Sequence, residues 1–142
     1  MKFLKFILLI SILNLVSCYR IHHDPHGTMY FSVSNSNKSE LIQVLDEFAE
    51  ENTLAKIQEG GERMLPEKMK VHVHAIYEND DNYQIAVQNF LNASCYSASA
   101  YDFDKIDSKV ATNLAEKLQH KLLSEFEAQI TFYTDQYCKQ AI

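Results

Sequence analysis

The densest group of potential metal ligands lies near the start of the chain. His22, His23 and His26 place three imidazoles and an intervening Asp within five consecutive residues. Neutral imidazoles are good ligands for zinc, copper and nickel. The same segment is polar and contains Pro and Gly, and a flexible segment loses conformational entropy when it orders around an ion. These residues therefore indicate either a transition-metal site or a solvated linker.

A second pair of imidazoles lies in the middle of the chain. His72 and His74 are two residues apart in a predicted strand, so both should project from the same face. That spacing suits two ligands of a zinc site, with the third ligand coming from His120 or a carboxylate. Lys70 alternates in phase with these histidines, so it should lie on the same face. A lysine there favours the alternative, in which both histidines lie on the solvated face of a sheet.

An acidic group precedes the last predicted helix. Asp102, Asp104 and Asp107 could supply oxygen ligands for calcium, but the Gly and terminal Glu of an EF-hand loop are missing. Acidic residues before a helix are also explained by capping and by the helix dipole. The sequence contains no Gly-x-Ser-x-Gly element and no phosphate-binding loop. It therefore predicts a protein without catalytic activity.

The first 17 residues have the pattern of an export signal. Lys2 and Lys5 precede an apolar run over 6–13, which is shorter than the roughly 20 residues of a membrane-spanning helix. Leu15-Val16-Ser17-Cys18 follows this run. These residues resemble the lipobox of bacterial lipoproteins. The resemblance implies cleavage before Cys18, a diacylglyceryl group on its thiol, and attachment of the mature chain to a membrane through lipid.

The same resemblance implies a location and a domain organisation. The residue after the lipidated cysteine is Tyr19 rather than Asp. By the sorting rule of this class, that favours the outer membrane, facing the periplasm. We therefore expect a signal peptide over 1–17, a lipidated cysteine and tether over 18–27, and a single domain over 28–142.

The cysteine count is odd, which is unusual for an exported protein. Three cysteines leave one unpaired, but lipidation of Cys18 leaves an even pair, Cys95 and Cys138. We predict a disulfide between them, with two buried thiols as the alternative.

Alternation of apolar and polar residues predicts strands in two parts of the chain. Phe31 and Val33 share one face of a first strand over 29–34. Val71, Val73, Ala75 and Tyr77 alternate with Lys70, His72, His74 and Ile76. A hairpin turn over 78–82 should lead to a strand over 83–90, and a third strand of this group is expected over 95–101.

Two amphipathic helices are predicted from apolar residues at helical spacing. The first follows a cap at Asn37 and extends to about Gln58, where Gly60-Gly61 should stop it. The second begins at Asp107 or Ser108 and continues to about Tyr137. If 130–134 forms a strand instead, the order β-α-β-β-β-α gains a final strand. Either order predicts an α+β fold, with both helices on one face of an antiparallel sheet.

Charge narrows the choice of partner. The chain has 13 basic and 19 acidic residues, and cleavage after Ser17 removes Lys2 and Lys5 and leaves a net charge of −8. An acidic protein repels phosphate backbones, so nucleic acid is not the expected partner.

We expect a non-catalytic module that binds an envelope protein, of the inhibitor, immunity or assembly type. The alternative is a lipoprotein that binds a metal or a small molecule. Clustered Tyr77, Tyr83, Tyr96 or Tyr101 on an open sheet face would favour a protein, and a deep pocket lined by His72 and His74 would favour a ligand.

Overall fold

The computed structural model describes residues 24–34, 38–65, 68–90, 94–105, 107–135 and 138. Within these ranges the chain forms two helices and seven strands. The α+β class is as the sequence predicts, but the strands over 55–59 and 62–64 were not predicted. The helices are α1 (Lys38–Glu51) and α2 (Lys109–Phe126). The strands are β1 (Gly27–Val33), β2 (Ala55–Glu59), β3 (Glu62–Met64), β4 (Lys70–Glu78), β5 (Tyr83–Phe90), β6 (Tyr96–Asp102) and β7 (Ile130–Tyr133). In the described part of the chain, no helix is both long enough and apolar enough to cross a membrane.

All the strands pair antiparallel in a single sheet of order β2-β4-β5-β6-β1-β7. β3 continues the β2 edge, because β2 pairs with the second half of β4 and β3 pairs with its first half. Gly60 and Gly61 join these two strands with positive φ angles of 72° and 90°. That conformation favours glycine, and it turns the chain at the sheet edge.

Both helices pack on one face of the sheet and form the main core. Leu41, Leu45 and Phe48 of α1 and Leu118 and Leu122 of α2 are almost fully buried. The sheet contributes the side chains that face them: Phe31, Ala75, Tyr77, Ile85, Val87, Ala98 and Ala100. Ser108 caps α2, since its Oγ accepts a hydrogen bond from the Ala111 N–H at 3.2 Å.

The first helix is shorter than its periodicity predicts. α1 ends at Glu51, where the Asn52 side chain donates to the Phe48 carbonyl and Thr53 adopts a left-handed φ of 57°. The following residues form β2, in which Ile57 is 56% exposed. The prediction of a helix to Gln58 was wrong because the Asn52 side chain and the left-handed Thr53 backbone end the helix before the glycines are reached.

The end of the chain is also a strand rather than a helix. Glu127 has a φ of 43° and ends α2, and a short 3₁₀ turn over Glu127–Gln129 leads into β7. β7 pairs with β1, matching Ile130 with Val33 and Tyr133 with Tyr30. The preferred prediction of a helix to Tyr137 was therefore wrong, and the alternative strand is present. Backbone pairing with β1 explains why a β-prone segment leaves the helix without Gly or Pro.

A bulge in β4 changes which side chains face the helices. Val73 pairs with Gln88 and Ala75 pairs with Val87, so His74 is an extra residue in the strand. Two consecutive residues at a bulge can point to the same side of a sheet. Here His74 and Ala75 both face the helices, whereas Val73 clusters with Ile76 and Ala86 on the opposite face. The predicted shared face of Val71, Val73, Ala75 and Tyr77 was thus wrong.

The predicted disulfide is present. Cys95, immediately before β6, is bonded to Cys138, five residues after β7, with a Cα–Cα distance of 5.9 Å. The bridge joins the segment before β6 to the segment after β7, and β1 lies between these two strands in the sheet. The disulfide therefore ties the segment that follows the last strand, β7, to the segment that precedes β6.

Candidate protein-binding surface

The sheet face opposite the helices carries most of the features expected of a binding surface. Cross-strand register assigns its residues in rows. One row consists of Val73, Gln88, Ser97, Tyr30 and Tyr133. The next consists of Ile76, Ala86, Ser99 and Thr28, and a third of Glu78, Gln84 and Tyr101. No helix or strand of the described ranges packs over these rows. Their inner side chains are nevertheless almost fully buried: Val73, Ile76, Ala86, Gln88, Ser97 and Ser99. We refer to these rows as the helix-free face.

Small side chains occupy the middle of this face and aromatic side chains flank them. Thr28 Oγ1 and Ser99 Oγ are 3.0 Å apart. Ala86 belongs to a small apolar cluster, against which Tyr101 packs. Tyr30, Tyr101 and Tyr133 are all partly exposed. Tyrosine rings offer apolar contact area together with a polar hydroxyl, a combination that is enriched at protein interfaces.

Tyr30 and Tyr133 are direct cross-strand neighbours at one side of the face. The Tyr133 hydroxyl lies 2.9 Å from Ser32 Oγ, which holds the ring in position. Burial, followed by the negative charge of Asp135, raises the pKa of Tyr30. The Tyr30 hydroxyl therefore remains protonated at neutral pH and can act as a hydrogen-bond donor.

Tyr101 and Phe103 form an aromatic pair farther along β6, the strand adjacent to β1. Their rings are stacked at 5.7 Å between centroids, with an interplanar angle of 6°. Phe103 is 37% exposed and is the one exposed Phe or Tyr among the described residues. The pair lies where β6 leads into the loop before α2.

Two loops meet beside this aromatic pair. Asn82, in the β4–β5 hairpin, accepts a hydrogen bond from the Phe103 N–H through its carbonyl and donates through Nδ2 to the Asp104 carboxylate. Gln84 Nε2 donates to Glu78 Oε2 at 2.9 Å. Two carboxylates are therefore held by neutral amides close to exposed aromatic rings.

Asp102, which the sequence suggested as a calcium ligand, instead makes hydrogen bonds within the loop before α2. Its side chain is buried, it accepts a hydrogen bond from the Asp104 N–H at 3.0 Å, and it interacts with the hydroxyl of the capping residue Ser108. Burial alone would raise the pKa of Asp102, but these hydrogen bonds and the charge of Lys105 lower it. The arrangement supports the loop and the start of α2.

Of the predicted metal ligands near the start of the chain, only His26 lies within the described residues; His22, His23 and Cys18 do not. His26 is integrated into the fold. Its Nδ1 accepts from the Asp102 N–H at 3.2 Å, and its Nε2 lies 2.8 Å from the Lys105 carbonyl, which fits an Nε2–H donor. Coordination of a metal through His26 would have to break one of these bonds.

His72 and His74 do come together, with ring centroids 5.1 Å apart. They lie on the sheet face that carries the helices, and His72 is partly exposed. His74 is buried, its Nε2 hydrogen-bonds with Asn89 Oδ1 at 2.7 Å, and its ring lies edge-on to Tyr96 at 4.7 Å. Burial is the main cause that lowers the pKa of His74, and the charges of His72 and Lys38 lower it further. Its Nδ1 has no hydrogen-bond partner.

No group of three or more His, Cys, Asp or Glu side chains suited to a metal ion occurs among the described residues. A half-open cleft of about 180 Å³ lies between the end of α1, the β4–β5 hairpin and α2. It is lined by Leu54, Tyr83, Leu114 and several amides rather than by the histidine pair.

The tyrosines singled out from the sequence are distributed over both faces. Only Tyr101 lies on the helix-free face. Tyr77 is buried under α1, where its hydroxyl donates to Asp46 Oδ1 at 2.7 Å, and Tyr83 and Tyr96 pack against the main core. Sequence reasoning missed Tyr30 and Tyr133 as surface candidates. For Tyr30 a signal existed, because it alternates with the core residue Phe31.

Comparison with protein-family models found no match for the chain, and comparisons with curated proteins and with solved structures found none either.

Proposed function

We propose that this protein is a non-catalytic protein-binding module of the bacterial cell envelope, anchored by lipid on Cys18. The observation that carries the binding role is the group of partly exposed aromatic side chains on the helix-free face. Tyr30, Tyr101, Phe103 and Tyr133 form this group. We use the name aromatic group for these four residues.

The composition of this surface supports a protein partner over a small ligand. Aromatic residues with restricted side chains contribute large contact areas with little loss of entropy when a partner binds. The small side chains beside them, such as Ser97 and Ser99, are almost fully buried, so the partly exposed rings themselves provide the contact area. Small molecules usually bind in enclosed cavities instead.

The anchor rests on the lipobox resemblance at Leu15-Val16-Ser17-Cys18. The bond between Cys95 and Cys138 supports an oxidising compartment such as the periplasm. Tyr19 favours the outer membrane within this proposal. Lipid attachment would confine the aromatic group near the membrane and raise its effective concentration toward envelope proteins.

A metal- or small-molecule-binding lipoprotein is the second candidate. Its support is the unpartnered Nδ1 of the buried His74 next to His72. A group of this kind is costly to bury and accepts a hydrogen bond or an ion readily.

The anchor is tested by replacing Cys18 with Ser in the native host. Cells that express either form are labelled with a fatty-acid analogue and fractionated. We expect label and membrane association in the wild type and neither in Cys18→Ser. An unlabelled wild type would falsify the lipidation proposal.

The binding role is tested by site-specific photocrosslinking in the same host. A photoreactive phenylalanine analogue replaces Phe103, and a matched control carries it at Leu123 on α2, which is similarly exposed at 41% against 37%. We expect one envelope protein to be captured from position 103 and not from position 123. Capture of no protein, or of the same proteins from both positions, would contradict the proposal.

A further inference from the structure

One end of the helix-free face combines a stacked aromatic pair, in which Phe103 is exposed and Tyr101 is partly exposed, with fixed negative charge. Tyr101, Gln84 and Glu78 are register neighbours on three adjacent strands. Since strands lie roughly 5 Å apart, the Glu78 backbone is about 10 Å from that of Tyr101. On the other side of the pair, Asp104 directly follows Phe103 in the chain.

Hydrogen bonds hold both carboxylates without neutralising them. The donors to Glu78 and Asp104 are the amides of Gln84 and Asn82, which carry no charge. Asn82 also accepts from the Phe103 N–H, so that the hairpin and the loop are joined at one corner. The nearest basic residue in the loop, Lys105, acts on the buried Asp102.

The turn of the β4–β5 hairpin adds to the negative potential. Asp80 and Asp81 are exposed there, immediately beyond Glu78. The whole chain is acidic, with a net charge of −6. An aromatic face bordered by carboxylates attracts cations by two mechanisms, Coulomb attraction and the negative potential of the ring.

We propose that this corner, consisting of Tyr101, Phe103, Glu78 and Asp104, binds arginine side chains of a basic protein segment. This inference rests on the proposed protein-binding function and adds the chemistry of the partner. Arginine fits better than lysine, because its planar guanidinium stacks on aromatic rings while its N–H groups reach carboxylates in two directions.

The test uses the lipidated protein in an uncharged detergent and a fluorescent peptide in which four arginines alternate with serines. Peptides with lysine or glutamate in place of arginine serve as comparisons. Binding is measured by fluorescence anisotropy at physiological ionic strength. We expect the arginine peptide to bind more tightly than the lysine peptide, and the glutamate peptide not to bind.

Matched variants locate the binding site. Glu78→Gln with Asp104→Asn removes two charges at the corner, and Glu50→Gln with Glu116→Gln removes two exposed charges from the helices. We expect the corner variant to weaken arginine-peptide binding about three- to tenfold, as loss of charge-assisted contacts implies, and the helix variant to change it less than about twofold. Phe103→Ala, at an exposed position, should weaken it about two- to fivefold through loss of cation–π contact. Unchanged circular dichroism and thermal midpoints establish that each variant is folded.

Each other outcome overturns the inference. Equal weakening by the corner and helix variants would mean unspecific attraction to an acidic protein. Self-association that is lost in the corner variant would identify a second copy of this chain as the occupant. If photocrosslinking from position 103 captures an envelope protein while the arginine peptide does not bind, the partner chemistry is wrong and the protein-binding function stands. If neither occurs, both proposals fail.

Discussion

His74 makes the stability of the fold dependent on pH at the scale of a single residue. The groups around it are His72 on its own strand, Lys38 on α1, Asn89 on β5 and Tyr96 on β6. Burial lowers the pKa of His74 below its usual value of 6.5. The imidazole is therefore neutral in the folded protein at pH values where the unfolded chain already binds a proton.

We expect this difference to reduce stability as pH falls below about 6.5 toward the lowered pKa in the folded state. The unfolded state binds more protons in that window, so the free energy of unfolding rises with pH, by at most about 1.4 kcal/mol per pH unit for one group. Above about pH 6.5 the neutral His74 makes its full contribution to the free energy of unfolding. Urea denaturation between pH 5 and 8 measures the slope.

His74→Gln should flatten this slope, whatever its effect on stability at neutral pH. His120→Gln, at an exposed position on α2, provides the control and should leave the slope as in the wild type. Identical slopes for the wild type and His74→Gln would show that His74 does not couple folding to protonation in this range.

At the scale of elements, α2 lies very close to β1. A Cβ added at Gly27 would be 2.9 Å from the Cβ of Ala115. Two carbon atoms do not approach this closely without displacement, and both belong to packed backbone elements rather than to flexible side chains. Small residues on both sides therefore permit the contact between α2 and the start of β1.

Gly27→Ala should lower the free energy of unfolding by about 1–3 kcal/mol, the usual effect of overpacking. Ala115→Gly alone should lower it by about 1 kcal/mol, because glycine is unfavourable within a helix. The double variant should lose less than the sum, since removal of the Ala115 methyl makes room for the new one. Simple additivity in a double-mutant cycle would indicate that the two positions do not compete for the same space.

Polar contacts of Asp46 connect α1 to the sheet. Asp46 accepts a hydrogen bond from the buried Tyr77 of β4 and forms an ion pair with Lys56 of β2 at 2.9 Å. Burial, and then the interaction with Asp46, raises the pKa of Tyr77. α1 is thus connected to an edge strand and to an inner strand by a single carboxylate.

At the scale of the whole molecule, the disulfide connects residues 43 positions apart. In the chain-entropy model, a loop of this length contributes about 3–4 kcal/mol by restricting the unfolded state. We expect Cys95→Ser with Cys138→Ser to lower the free energy of unfolding by about this amount in urea titrations. Reduction of the wild type with dithiothreitol should give a similar loss, and reductant should have no effect on the double variant. A double variant as stable as the oxidised wild type would contradict this role.

Local sequence patterns were sufficient to predict several structural features of this protein. The helical spacing of Leu41, Leu45 and Phe48 predicted α1, and the β4–β5 hairpin followed from a polar turn between alternating segments. Ser108 was one of two predicted caps for α2. The even cysteine pair predicted the disulfide, because the argument required only a count and a compartment.

Other features depended on tertiary structure because local pattern does not specify strand partners. The segment over 130–133 is adjacent to a helix in sequence, and pairing with β1, about 100 residues earlier, makes it a strand. The extra residue His74 shifts the alternation within β4. Both histidines therefore lie on the face that carries the helices, where His74 is buried and His72 is partly exposed. Tyr30, Tyr101 and Tyr133 are distant in sequence, and they share a face only through the register of β1, β6 and β7. Composition and periodicity thus determined the fold class, whereas long-range pairing and a one-residue bulge decided which side chains form the candidate surface.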